Sequence, residues 1–208
     1  MSVDELPKSF KDSAENYLRV LYDSFTTNLL LEVEKLSTDL LKVWSEKKQV
    51  FICGNGGSAA NSLHMANDFH YGIGACGQGP KLPGLRVEAL PANTGILTCL
   101  ANDTSYENVY AHQLEVKSNP GDLLIVLSGS GNSPNVINAL DAAKRLGLKT
   151  YAIVAFNGGR CKEVADHSIH VKINDMQIAE DVQLIVGHLC MQWLNAHKPV
   201  QLKGLENA

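Results

Sequence analysis

Twice in this chain an apolar run of strand length stops in a loop made almost wholly of glycine, serine and asparagine. Val50-Phe51-Ile52-Cys53 leads into Gly54-Asn55-Gly56-Gly57-Ser58. Leu123-Leu124-Ile125-Val126-Leu127 leads into Ser128-Gly129-Ser130-Gly131-Asn132-Ser133. A strand that is apolar at every position, not at alternate ones, has both faces covered. That is the pattern of a parallel sheet between helical layers. In such sheets ligands bind beyond the carboxyl ends of the strands, which is where both loops fall.

The rest of the chain agrees with an α/β reading. Further strands are expected at 150–155 and 167–173, with a weaker one at 85–90. Helical stretches at 59–71, 105–117, 134–146 and 178–196 separate the strands. Before them, Leu29, Val33, Leu36, Leu40 and Val43 follow a 3–4 spacing on one helix face. Tyr17, Leu18, Leu21 and Tyr22 suggest an earlier helix, with a break near Thr26-Thr27. Gly147 stands where a helix C-cap is expected, and the glycine-rich stretch 72–84 reads as a mobile surface loop. The expected organisation is a helical segment at 1–48, an α/β domain at 49–198 and a tail at 199–208.

Composition excludes several classes. With 45% hydrophobic and 19% charged residues, the chain is globular and not disordered. Its formal charge of -4 and scattered Lys and Arg give no nucleic-acid footprint, so an anionic ligand must be held by local donors. No apolar run is long enough to span a membrane, and MSVDELPKSF lacks the basic and apolar regions of a signal peptide. The five cysteines have no metal-type spacing. They read as reduced cytosolic thiols, mostly buried, and a cytoplasmic location is expected.

Each loop alone could be a turn with a helix cap. Ser58 suits the cap of the helix that follows it, and Pro134 suits the first turn of the next. Two such loops after two apolar strands point instead to phosphate, held by backbone N–H groups at helix N-termini. Neither loop is followed by the Lys-Ser/Thr of a nucleotide-binding P-loop, and neither fits a dinucleotide fingerprint. A simple phosphoester is the expected ligand.

The octapeptide Cys53–Ala60 with His64, together with the stretch Leu127–Ser133, resembles the two signature loops of the sugar isomerase (SIS) proteins. Ala101-Asn102-Asp103 and the segment 179–183 match in order and position, so the resemblance covers nearly the whole chain. It implies a three-layer α/β sandwich with a central parallel sheet, preceded by N-terminal helices. The phosphoheptose isomerases, which convert sedoheptulose 7-phosphate to a heptose 7-phosphate, are the subfamily it is most similar to.

The resemblance also implies a site. Asn55, Gly56, Gly57 and Ser58 would meet the sugar and phosphate, Ser128, Gly129, Ser130 and Ser133 would hold the phosphate, and Asn102 and Asp103 would touch the sugar. Many members bind zinc through a His, a Glu one turn later, and a Gln and a His two turns apart on the last helix. Here His64 is kept, Asp68 replaces the Glu, Gln183 matches the Gln, and Met191 stands at the final His. His64 and Asp68, four apart, share a helix face. Methionine is a poor zinc ligand, so zinc on His64, Asp68 and Gln183 is expected to be weak or absent. Met191 can equally be helix core. His188 lies five residues after Gln183, well round the helix, and is not expected to replace the lost His. The remaining histidines read as surface or packing residues.

Two functions follow. The first is an aldose–ketose isomerase acting on a phosphosugar. Asp68 would be the base that moves a proton between adjacent carbons, His64 the acid or metal ligand, and Gln183 a site partner. Glu180 and Asp181 are the reserve carboxylates. The second is a non-catalytic SIS protein that binds a phosphosugar as sensor or oligomeric module, resembling the replication-initiator-associating members. The departures at Asp68 and Met191 favour it, whereas the retained His64, Asn102, Asp103 and Gln183 favour the isomerase, which is the expected function. Resemblance to single-SIS isomerases also implies a homotetramer whose sites are completed by neighbouring subunits.

Overall fold

The computed structural model describes residues 9–76 and 81–199. Two N-terminal helices, α1 (Phe10–Asp23) and α2 (Thr27–Ser45), precede five strands: β1 (Gln49–Gly54), β2 (Arg86–Ala89), β3 (Leu123–Ser128), β4 (Lys149–Val154) and β5 (His167–His170). Between the strands lie α3 (Gly57–Asn67), the short α4 (Ile73–Ala75), α5 (Thr94–Asp103), α6 (Ala111–Lys117), α7 (Pro134–Arg145) and α8 (Gly159–Val164). The closing helix is α9 (Met176–Ala196).

The sheet is parallel throughout, in the order β2-β1-β3-β4-β5. Because β2 lies on one side of β1 and β3 on the other, the strand order reverses at β1/β3. That reversal opens a crevice at the carboxyl ends of these two strands. β3 is buried at all six residues, as its unbroken apolar sequence requires. Ile52, Ile125, Leu127 and Ile153 face one core, covered by α2, α3 and α9. Phe51, Cys53, Val126 and Val154 face the other, covered by α6, α7 and α8. Truncating one of these, for example Ile125→Ala, would cost about 2–5 kcal/mol.

Local sequence sets the helix ends. Thr26 Oγ1 accepts from Leu29 N–H and starts α2, so the break falls at residues 24–26 as expected. At the end of α7, Gly147 takes φ of 78°, with Gly147 N–H bonded to Lys144 O and Leu148 N–H to Ala143 O. This paired closure is the Schellman motif that a glycine at this place implies. Burial pushes the Cys161 thiol up to about 12 and Cys190 to about 11, so both pack as protonated apolar groups.

Several expectations change. The helix expected at 59–71 starts earlier, at Gly57, and after Asn67 widens into a π turn, Asp68–Gly72. The Met191 methyl group packs on Gly72 at the end of this turn. The stretch 105–117 divides into a 3₁₀ turn at Tyr106–Asn108 and then α6. Within 72–84 the described residues are not a free surface loop: Gly72, Ile73, Gly74 and Leu82 are buried, and residues 77–80 lie outside the described residues. α5 and α8 were not expected. The first is short and glycine-containing, and the second is a six-residue helix. Of the tail, only Pro199 is described. Among the described residues no helix is long and apolar enough to cross a membrane.

Candidate active site

The two glycine–serine loops face each other across the β1/β3 crevice and line one cleft of about 270 Å³. Asn55, Gly56, Gly57, Ser58, Ser128, Gly129, Ser130 and Ser133 all contribute, joined by Met176 and Glu180 from α9. Gly56 holds φ of 55°, a backbone state that side chains disfavour, and this turns the chain from β1 into α3. In the second loop Gly131, at φ 69°, lies against the Gly158 backbone, leaving no room for a Cβ. Ser128 Oγ accepts from Gly131 N–H at 3.1 Å, so this hydroxyl shapes the loop from within.

The helix N-termini differ around the molecule. α1, α2, α5 and α9 each carry a side-chain cap, from Ser9, Thr26, Asn93 and Asp175. α3 and α7, which start at the cleft, have none, and neither do the shorter α4, α6 and α8. Ser58 is therefore not the cap it resembles in sequence. Gly56 is the N-cap, and Ser58 is buried inside the first turn. Ser133 precedes Pro134 at the start of α7 but makes no cap bond. The uncapped N–H groups and positive dipole ends of two helices are thus left for an anion.

A second group lies further along α3. His64 Nε2 is 3.4 Å from Asp68 Oδ2, His188 Nε2 is 3.5 Å from the same oxygen, and the two Nε2 atoms are 3.0 Å apart. The rings meet edge to face at 71°. Asp68 is the enclosed member, with 14% of its side chain exposed against 47% for His64. Among the described residues these three form the group of His, Cys, Asp or Glu able to hold a metal. The donor set fits zinc. Ligands at about 2.0–2.2 Å in tetrahedral array are separated by roughly 3.3 Å, close to the three observed spacings.

His188 is therefore a correction to the sequence reading. Counting from Gln183 put it on the wrong side of α9. Counting the same eight-residue spacing from Glu180 reaches His188. Gln183 itself does not line the cleft: it is 1% exposed between α9 and α3, and its Oε1 accepts from Asn61 Nδ2. Its Nε2 finds no partner among the described groups. As ligand, substrate contact or catalytic residue it is displaced by its own burial. Met191 is core, half-buried against the cluster that joins α2, α3 and α9.

Asn102 and Asp103 end α5, exposed, with Asn102 Nδ2 donating to Asp103 Oδ1, and neither lines the cleft of its own chain. Glu180 was only a reserve candidate in sequence, yet its carboxylate lies over Gly57 at the start of α3. The neighbouring Asp181 turns away, accepting from the Tyr17 hydroxyl at 2.6 Å. Burial, aided by that bond, pushes Tyr17 up to about 12.

Comparison with known proteins agrees with this geometry. The SIS domain family matches residues 14–155. A phosphoheptose isomerase of Akkermansia muciniphila is 39% identical over 160 residues, covering 76% of this chain and 79% of that protein. One from Sulfurimonas denitrificans is 33% identical over 188 residues, covering 89% of each. The solved structure of a phosphoheptose isomerase from Neisseria gonorrhoeae shares the fold with a TM-score of 0.80 at 24% identity, over 88% of this chain and 95% of that one. With two glycine–serine loops at a parallel-sheet switch point and a sequence match over most of its length, this chain belongs to the SIS domain family.

Proposed function

We propose that this protein is a phosphosugar isomerase that interconverts sedoheptulose 7-phosphate and a heptose 7-phosphate. The observation that carries the reading is the meeting of His64 of α3 and Asp68 just after it with His188 of α9, α3 being a helix whose N-terminus lines the phosphate cleft. His64 lies seven residues, about 10 Å of helix, from Gly57. An extended sugar held by its terminal phosphate at the loops would bring its other end to this group. The curated relatives named phosphoheptose isomerase support the same substrate class.

The chemistry follows from the side chains. Isomerisation moves a proton between adjacent carbons through an enediol, and needs a base at carbon and an acid at oxygen. Oδ2 of Asp68 faces both imidazoles, leaving Oδ1 as the base for the carbon-bound proton. In the metal-free site an imidazole Nε2 of His64 or His188 is the group that delivers a proton to the substrate oxygen. The Ser130 and Ser133 hydroxyls, with the first-turn N–H groups of α3 and α7, hold the phosphate. We further propose that His64, Asp68 and His188 hold a zinc ion, which when bound would polarise the substrate's carbonyl and hydroxyl oxygens. The expectation of weak zinc rested on a missing ligand, and His188 supplies one. The same residue removes one ground for the non-catalytic reading, which leaned on Met191.

A homotetramer fits the surface. α1 buries none of its residues and exposes Phe10, Leu18 and Tyr22, beside Leu30 and Leu31 of α2. A neighbouring subunit covering this face is the proposed assembly, with Asn102 and Asp103 completing a neighbour's site. A 22.6 kDa monomer by light scattering at micromolar concentration would defeat it. The buried free thiols suit the cytoplasm, where we place the protein. The test of function is incubation with sedoheptulose 7-phosphate in deuterated water, followed by NMR. Product and deuterium incorporation are expected. Binding without exchange would leave only the sensor reading.

A further inference from the structure

The two phosphate loops are joined by a side-chain contact that neither loop motif accounts for. Asn55 Nδ2 donates to Asn135 Oδ1 at 2.9 Å, and Asn135 Nδ2 donates back to Asn55 Oδ1 at 2.8 Å. The Tyr106 hydroxyl donates to the same Asn55 Oδ1 at 2.9 Å. Asn135, in the first turn of α7, is 2% exposed, whereas Tyr106 is 55% exposed. The turn that carries Tyr106 is itself tied to α7, since Asn138 Nδ2 donates to Glu107 O at 3.0 Å.

A primary amide offers two acceptor lone pairs and two N–H donors. In Asn55 both lone pairs and one N–H are engaged, so a single Nδ2–H remains in a residue that lines the cleft. A flipped Asn55 would set its NH₂ against the NH₂ of Asn135, which the buried pair forbids unless both amides turn. The group left for a ligand is therefore a donor, suited to a phosphate, carbonyl or hydroxyl oxygen.

We infer that Asn135 is a positioning residue: it locks the Asn55 amide from the buried side, so that the remaining Nδ2–H meets an oxygen of the phosphosugar. Tyr106 makes the same lock from the solvent side. The inference rests on the isomerase reading for its substrate. It goes beyond that reading in assigning roles to two residues outside both loop motifs.

The test compares wild type, Asn135→Ala, Tyr106→Phe and the double variant, with sedoheptulose 7-phosphate as substrate. KM is expected to rise about tenfold in Asn135→Ala and about threefold in Tyr106→Phe, with kcat within about threefold of wild type. The double variant should raise KM by clearly less than the product of the two, because both partners act through one oxygen. Multiplicative effects would overturn the inference, as would a lowered melting temperature with unchanged KM. If Asn135→Ala does not fold, Asn135→Asp takes its place: it keeps the shape and the acceptor but cannot donate to Asn55 Oδ1. Wild-type KM in both Asn135→Asp and Tyr106→Phe would then overturn it. Equilibrium binding of the same sugar separates the two claims. If wild type binds without converting it, the isomerase reading fails, and the same non-additive pattern in Kd still upholds the role of Asn135. If wild type does not bind it, both fail.

Discussion

The loop cleft is lined mainly by two contiguous stretches, 55–58 and 127–130 with Ser133, whereas the group between α3 and α9 is made of three side chains drawn from positions 64, 68 and 188. The second loop is shaped partly from within, as when Ser128 bonds Gly131 three positions on, and the first is braced at Asn55 by Asn135 and Tyr106. The histidine–aspartate group exists only because α3 and α9 pack at one register, with the Met65 side chain against Gly187. The first region should therefore bind under many single substitutions. The second should fail with one.

The sharpest way to break this contrast is Asp68→Asn. The amide keeps the shape but cannot take the carbon-bound proton, so kcat should fall by about 10²–10⁴ while phosphosugar affinity holds. Exchange of substrate hydrogen with deuterium at the wild-type rate would move the base elsewhere, with Glu180 next in the cleft. His188→Gln comes second. A loss of about 10²-fold in kcat is expected, together with loss of zinc by metal analysis. Unchanged turnover and metal content would return His188 to the surface role that its sequence position suggested. Ser130→Ala is smaller and of the opposite kind: KM should rise by roughly 5–30-fold, about 1–2 kcal/mol, with kcat little changed. An equal fall in kcat would mean that the two ends are not separable. Smallest is Met191→Leu, which should shift stability by less than about 1.5 kcal/mol and leave turnover alone. A large activity loss would show Met191 to be more than packing.

The same contrast explains what could be read from sequence. The strands were legible because β1, β3 and β4 are buried on both faces and write that fact as nearly unbroken apolar runs, and of the helices that flank them α3, α7 and α9 were legible while α5 and α8 were not. The loops were legible because their chemistry is local. His188 was not, since i-to-i+8 counting depends on which residue begins the count, and Gln183 was taken in place of Glu180. The uncapped start of α3 was hidden as well. Ser58 has the chemistry of a cap, but the sharp turn at Gly56 moves it into the helix. Asn135 and Tyr106 meet Asn55 across 80 and 51 positions of chain, a separation that no local pattern encodes.

The π turn at Asp68–Gly72 carries one more consequence. Directly after the proposed base, the carbonyl of Phe69 accepts the N–H of Leu85, the residue that leads into the edge strand β2. The Trp44 indole N–H, in turn, donates to Pro83 O on the same approach. The back support of Asp68 is thus moored to the approach to β2, one of the two edge strands of the sheet. Unfastening that margin would slacken the reacting end while the phosphate cradle, anchored on the central β1 and β3, stayed intact. A protein loosened there would still hold its substrate and turn it over poorly, and faster hydrogen exchange at the Leu85 amide would mark the fault far from the cleft.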